Sequence, residues 1–304
     1  MSGKEDARLR TALAQATDRL AAAGVPSPRV DAIALAEHAL GVPQLILALP
    51  PSVPEGFEAV LEPLVRRREA REPLQHILGR AAFRYLSLLA APGVFLPRPE
   101  TEVVTQEAVD EANRLLTAGR EALVVDLCTG SGAIALSVAM EVPGSRVVAV
   151  DVDPAAVTLT RVNAAALLDG ADSDSDGLRT VRIELGDVSD PGLLADLADT
   201  VDILISNPPY IPDDAVPLDR EVAEHDPPHA LFGGGQNGLD VPRHVMLAAV
   251  RLLRQGGLFV MEHADLQGAA VRKLVDRTNA FSSATTHQDL TGRDRFVVAR
   301  RRAT

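Results

Sequence analysis

The chain is poor in cysteine, in lysine and in long apolar runs. Cys128 is the single cysteine among 304 residues, so no internal disulfide can form, which fits a reducing compartment. Lys4 and Lys273 are the only lysines, against many arginines and alanines, a bias expected of a GC-rich bacterial genome. No apolar stretch approaches the roughly 20 residues of a membrane-spanning helix. Residues 1–10 are polar and charged, without the apolar core of a signal peptide. A basic excess is missing too. The net charge is -12 and the pI is near 5.0, which argues against a surface devoted to gripping a nucleic-acid backbone. The expectation is a cytoplasmic protein with no membrane partner and no stable nucleic-acid partner. No internal repeat is present.

What is there suits a globular chain long enough for two domains, or for one large domain with an added piece: 304 residues, 46% of them hydrophobic. Residues 1–80 read as helices. Leu9, Leu13, Ala16 and Leu20 recur at helical spacing over residues 8–23, and Gly24 is a stop signal. Ser27 is placed to N-cap a helix that opens on Pro28 and runs to about Leu40, before Gly41. A third helix is expected over residues 55–69. Its arginines Arg66, Arg67 and Arg68, with Arg71, form either a solvated helix face or a docking surface for an acidic partner. Residues 83–95 change character and predict a short hairpin, making 81–98 a linker between the helical part and residues 99–304.

Beyond residue 100, apolar runs rich in Val, Ile and Leu at 122–127, 146–151, 180–185, 201–206 and 257–262 alternate with helical stretches such as 133–141, 154–168 and 241–253. That order predicts an α/β fold, a mostly parallel sheet with helices on both faces. Two late strands, 281–286 and 295–300, are expected at one edge. Earlier in the chain, in an Asp-, Gly- and Ser-rich loop over residues 169–177, Asp172, Asp174, Asp176 and Gly177 imitate the start of a calcium loop. The position for the bidentate Glu falls on Ile183, so a solvated connection is the better reading and no metal is expected. His225 and His229 near Glu224 likewise fit no ligand set.

Polar stations mark the ends of three successive strands. Cys128-Thr129-Gly130-Ser131-Gly132 follows the first and opens a helix, a turn through which backbone can approach a nucleotide closely. It lacks the third glycine of the dinucleotide spacing and any Gly-Lys-Ser/Thr phosphate loop, so phosphate binding is not indicated. Asp151 ends the next strand, where a carboxylate accepts hydrogen bonds from ribose hydroxyls. Asp153 with Pro154 is the better helix start, which leaves Asp151 for that role. Gly186-Asp187 ends the third strand. Together they fit a nucleoside cofactor lying across the carboxyl edge of the sheet.

The fourth strand runs directly into Asn207-Pro208-Pro209-Tyr210. Two prolines hold the backbone extended and remove two N–H donors. The Asn207 side-chain oxygen and the Pro208 carbonyl can then accept both hydrogens of an NH2 group, with Tyr210 against its planar neighbour. An amide nitrogen is a poor nucleophile because its lone pair is delocalised. Two acceptors that favour a pyramidal nitrogen localise that pair and aim it along a sulfonium–methyl bond. No strong base or metal is then required.

Further stretches carry a family likeness: residues 71–79 with Arg71-Glu72-Pro73-Leu74-Gln75-His76, Phe83, and above all Pro97-Arg98-Pro99-Glu100-Thr101-Glu102. Downstream, Ala230-Leu231-Phe232-Gly233-Gly234 and Gly292-Arg293-Asp294-Arg295 match as well. With these the chain resembles the release-factor glutamine methyltransferase family (PrmC/HemK) over nearly its whole length. The resemblance implies a Rossmann-like class I methyltransferase domain with a seven-stranded sheet, S-adenosylmethionine as cofactor and S-adenosylhomocysteine as product. It implies class 1 peptide-chain release factors as protein substrate, docked by the helical domain and methylated on the Gln of their Gly-Gly-Gln motif. Cys128, Thr129, Gly130, Ser131, Gly132, Asp151 and Asn207 would then hold the cofactor, with Asp187 and Val188 beside the adenine. Asn207, Pro208, Pro209 and Tyr210 would hold the Gln, and Arg98, Glu100 and Thr101 would brace the pocket.

Three stretches depart from the family pattern: Cys128 replaces a glycine, Val188 an aromatic residue, and Glu262-His263-Ala264 the usual Glu-Ile/Leu-Gly. Gly234-Gly235-Gln236 spells the substrate motif within the chain, but it falls in a glycine-rich loop of the family, so self-methylation is not expected. Two alternatives stay open, a nucleic-acid methyltransferase acting on an exocyclic amino group of a flipped base and an inactive module that only binds release factor.

Overall fold

The computed structural model describes residues 3–49, 51–168, 180–217 and 219–303. The calcium-like spacing at 172–177 lies outside the described residues. Two compact units form, one from Met1–Arg80 with Pro217–His225, the other from Ala81–Val216 with Asp226–Thr304.

The first unit is built on α1 (Gly3–Ala22), α2 (Pro28–Leu40), α3 (Phe57–Glu69) and α4 (Leu74–Leu78). Leu9, Leu20, Leu35 and Phe57 are fully buried in one cluster, each worth about 1.5–3 kcal/mol of apolar burial. Pro28 opens α2 and Gly41 closes it in the left-handed conformation, but the Ser27 side chain makes no capping bond. The third helix starts at Phe57 rather than 55 because Gly56 has φ 88°, outside helical space.

Neither reading of the arginine cluster describes all four side chains. Arg66 is solvated and pairs with Glu62. Arg67 bonds Glu72. Arg68 is buried against Asp31 at 2.7 Å and Glu221 at 3.0 Å, and Arg71 bonds Glu221 and the carbonyl of Gly24. Internal carboxylates take these charges.

The second unit begins with a hairpin of β1 (Arg80–Phe83) and β2 (Leu86–Leu89), a few residues earlier than expected, turning at Arg84 and Tyr85. It is not a free linker. Phe83, Leu86 and Leu88 pack with Leu136 and Ala164, and the Leu89 N–H donates to Asn163. In chain order follow α5 (Pro99–Thr117), β3 (Ala122–Leu127), α6 (Ala133–Glu141), β4 (Ser145–Asp151), α7 (Pro154–Leu168), β5 (Thr180–Leu185) and β6 (Val201–Ser206). Then come α8 (Arg220–His225, within the first unit), α9 (Pro228–Leu231), α10 (Asp240–Leu252), β7 (Leu253–Glu262), α11 (Gly268–Asp276), β8 (Thr285–Gln288) and β9 (Asp294–Arg300).

The seven-stranded sheet has the order β5-β4-β3-β6-β7-β9-β8. β5 through β7 are parallel, while β9 runs antiparallel to both β7 and β8. The strand expected at 281–286 forms instead at Thr285–Gln288, and Phe281 makes only an isolated bridge with Arg301. Every residue of β3 and β6 is buried, as strands covered on both faces require. Val125, Leu127 and Leu204 pack on one face with α10; Val124, Ile203 and Ile205 pack on the other with α5 and α6. Strand order reverses between β3 and β6, which opens a crevice at their carboxyl ends. Among the described residues no helix is long and apolar enough to cross a membrane.

Candidate functional site

The turn after β3 is shaped by buried Asp126. Its Oδ2 accepts from Thr129 Oγ1 at 2.6 Å and from the Ala135 N–H at 3.1 Å, tying strand, turn and α6 together. Burial pushes this carboxyl up to about 7. Cys128, Gly130 and Gly132 all have positive φ, 61°, 59° and 86°. A Cβ on Gly132 would stand 2.9 Å from Thr160 Cγ2, so that glycine is needed for packing. A Cβ on Gly130 would meet nothing, so its open side faces space that a ligand can take.

Asp151, at the end of β4, accepts from the Gly130 N–H at 2.8 Å and from the Asp153 N–H at 3.0 Å. Each oxygen keeps a lone pair for a further donor. Burial raises this carboxyl above its ordinary value. Asp153 accepts from the Ala155 N–H, as a helix start does, and meets His229 Nε2 at 3.1 Å. Asp187 accepts from the Ser189 N–H at 2.7 Å, and that bond lowers its pKa.

These groups border a cavity of about 230 Å³ at the carboxyl edge. Cys128, Thr129, Gly130, Ser131, Asp151, Asp187, Val188, Asn207 and Pro209, all expected at the site, line it. Gly132, Pro208 and Tyr210 are outside that lining. Among the described residues the walls include no lysine or arginine, so the carboxylates face the cavity without a lysine or arginine to hold phosphate. An uncharged or cationic nucleoside suits it: carboxylate acceptors at Asp151 for hydroxyls, apolar Val152, Val188 and Ile134 for a ring, and the open side of Gly130 for close approach.

The Asn207–Tyr210 loop leaves β6 beside β7, with Ser206 in register with Met261. Asn207 Nδ2 donates to Thr101 Oγ1 at 3.2 Å, which leaves its Oδ1, among the described residues, as the uncommitted end of the amide. Thr101 Oγ1 donates to Glu262 Oε2 at 2.8 Å, and the Tyr210 hydroxyl to Glu262 Oε1 at 3.3 Å. Behind the loop, Gln267 Nε2 donates to the Tyr210 carbonyl at 2.8 Å. A Cβ on Gly233 would stand 2.5 Å from the Pro209 carbonyl, and one on Gly238 2.1 Å from that of Tyr210. The stretch with Gly234-Gly235-Gln236 therefore belongs to a support packed against the Asn207–Tyr210 loop.

Thr101, expected as a brace, lies in the wall, whereas Arg98 forms an ion pair with buried Asp226 and sits 4.8 Å over the Phe95 ring. Sequence reasoning missed Asp126, Phe95, Pro227 and the link from Glu262 to the loop, and it weighed His229 only as a metal ligand. Only the polar residues Asp126 and Glu262 at strand ends carried a signal. His263 is buried, with Nδ1 donating to the Ala264 carbonyl and Nε2 without a partner among the described residues; burial lowers its pKa.

The model of the PrmC N-terminal domain family matches residues 11–79 and that of the methyltransferase small domain family residues 98–224. A release factor glutamine methyltransferase of Mycolicibacterium smegmatis is 46% identical over 295 residues, 97% of this chain and 98% of that protein. A 4-amino-L-phenylalanine/4-methylamino-L-phenylalanine methyltransferase of Streptomyces pristinaespiralis is 39% identical over 283 residues, 91% of this chain and 90% of that one. Among solved structures, a T. thermophilus 16S rRNA methyltransferase in complex with AdoMet and guanosine shares the fold, with TM-score 0.51 and 22% identity over 73% of this chain and 50% of that chain. On the near full-length identity to its curated relatives, the chain belongs to the release factor glutamine methyltransferase family.

Proposed function

We propose that this protein transfers a methyl group from S-adenosylmethionine to the side-chain amide nitrogen of the Gln in the Gly-Gly-Gln motif of class 1 peptide-chain release factors. The observation that carries the reading is the Asn207 amide, whose nitrogen is spent on Thr101 while its oxygen stays available at the cavity. S-adenosylmethionine supplies the electrophilic methyl group and leaves as S-adenosylhomocysteine. Asp151 would hold the ribose hydroxyls, with Asp187 and Val188 at the adenine and residues 128–132 along the nucleoside. Asn207 Oδ1 and the Pro208 carbonyl would accept the two amide hydrogens of the Gln, with Pro209 and Tyr210 beside it. That arrangement turns the nitrogen lone pair toward the methyl carbon. The N–C bond forms as the S–C bond breaks, and the extra proton leaves to water. Under this reading residues 1–80 dock the release factor and residues 99–304 carry the transfer. The cytoplasm is the site of action, with no membrane partner, no stable nucleic-acid complex and no metal.

The test is incubation with purified release factor and methyl-labelled S-adenosylmethionine, with the label mapped by peptide mass spectrometry. Label is expected on the motif Gln, and its loss is expected in Asn207→Ala and in a release factor lacking that Gln. The arylamine relative makes free 4-amino-L-phenylalanine the second substrate to include. Label on that amine alone, or on RNA or DNA alone, overturns the release-factor reading.

A further inference from the structure

Glu262 ends β7 beside the catalytic loop, 1% exposed, and no step above uses it. Thr101 and Glu100 face it from α5, Tyr210 from the loop, and Arg295 from β9. An ionised carboxylate can only accept, so both hydroxyl protons, from Thr101 and from Tyr210, point at it. Thr101 has one hydroxyl proton. With that proton spent on Glu262, the Thr101 oxygen can only accept from Asn207, and the group facing it must be the Asn207 NH2. The Asn207 carbonyl is thereby turned to the other side.

We propose that Glu262 is a positioning residue for methyl transfer, its carboxylate acting through Thr101 Oγ1 to fix which end of the Asn207 amide meets the substrate. The inference rests on the methyl-transfer reading above and names the group that orients its key acceptor. A protonated Glu262 can donate to the Thr101 oxygen, which frees the Thr101 hydroxyl to donate to Asn207 Oδ1. The amide can then flip without losing a hydrogen bond and would present donors to a substrate NH2 that needs acceptors. Burial holds the Glu262 carboxyl at about 7, so the switch between these states falls near neutral pH.

The experiment combines turnover at saturating S-adenosylmethionine with nuclear magnetic resonance of the Asn207 side-chain amide in asparagine-labelled protein, assigned by its loss in Asn207→Ala. Thr101→Val is expected to lower kcat roughly 10- to 100-fold through misplacement of the acceptor, and Thr101→Ser to restore most of it. Wild-type kcat should rise with pH through about 7, and the Asn207 amide signal should shift over the same range. Glu262→Gln cannot ionise and should lose that inflection in both readouts. Wild-type kcat in Thr101→Val, an inflection surviving in Glu262→Gln, or an amide signal indifferent to both substitutions overturns the proposal. Failure of the release-factor reading is separate: it shows as absence of label on the motif Gln in the wild type, while the amide signal still decides the role of Glu262.

Discussion

At the scale of single residues, Cys128 and Glu262 are among the positions held against their intrinsic preference. Cys128 occupies left-handed backbone with φ 61°, which costs a non-glycine residue about 1–2 kcal/mol. The family's glycine at this place has a physical reason, the turn from β3 into α6. Cys128→Gly exchanges strain for extra freedom in the unfolded chain and should change stability by less than about 1 kcal/mol. Cys128→Val puts a β-branched side chain at positive φ and should destabilise by about 1–3 kcal/mol in urea unfolding. Glu262 is the second case. Its folded carboxyl titrates near 7 against 4.5 unfolded, so the folded state binds the proton more tightly and stability falls as pH rises across that window. Glu262→Gln should therefore be more stable than wild type at pH 8, and the difference should fade as pH falls below 4.5, measured by urea midpoints. A group kept at the expense of stability is what a positioning role requires. Asp126, at about 7 for the same reason, adds a slope of the same sign.

Elements show where local signals acted and where packing replaced them. Pro28 and Gly41 bound α2 as the sequence indicates, yet Ser27 makes no capping bond. Ser27→Ala should then cost less than about 0.5 kcal/mol, below the usual value near 1 kcal/mol for a lost cap. α2 is fastened to α3 by Asp31 and Arg68, whose side chains are 10% and 6% exposed. Asp31→Ala leaves a buried guanidinium short of a partner and should cost about 3 kcal/mol, read as faster hydrogen exchange in α2 and α3. Removing the solvent-exposed Arg8–Glu58 pair should leave that exchange nearly unchanged, because water screens it. Periodicity marked α6 and α7 and strands β3, β5 and β6 at their observed bounds. It misplaced the hairpin and β8, where runs of four residues carry too little pattern to fix a register.

For the whole molecule, ligand linkage and charge give the last test. If the cavity holds S-adenosylmethionine, a concentration near 100 times its dissociation constant should stabilise the protein by about 2.7 kcal/mol. Asp151→Asn should gain much less at the same concentration, followed by thermal unfolding. The sequence by itself determined the fold class, because strands buried on both faces need continuous apolar runs and the helices between them need a 3.6-residue period. It also pointed to Gly130, Asp151, Asp187 and Asn207, which line the cavity, because turn glycines and strand-end polar residues are written locally. Only the tertiary structure decided that Thr101 and Glu262, 161 residues apart, share a hydrogen bond, and that Arg68 is an internal ion-pair partner rather than a docking charge. Such pairings depend on strand order and helix placement, which bring side chains together across the chain and leave no periodic trace along it.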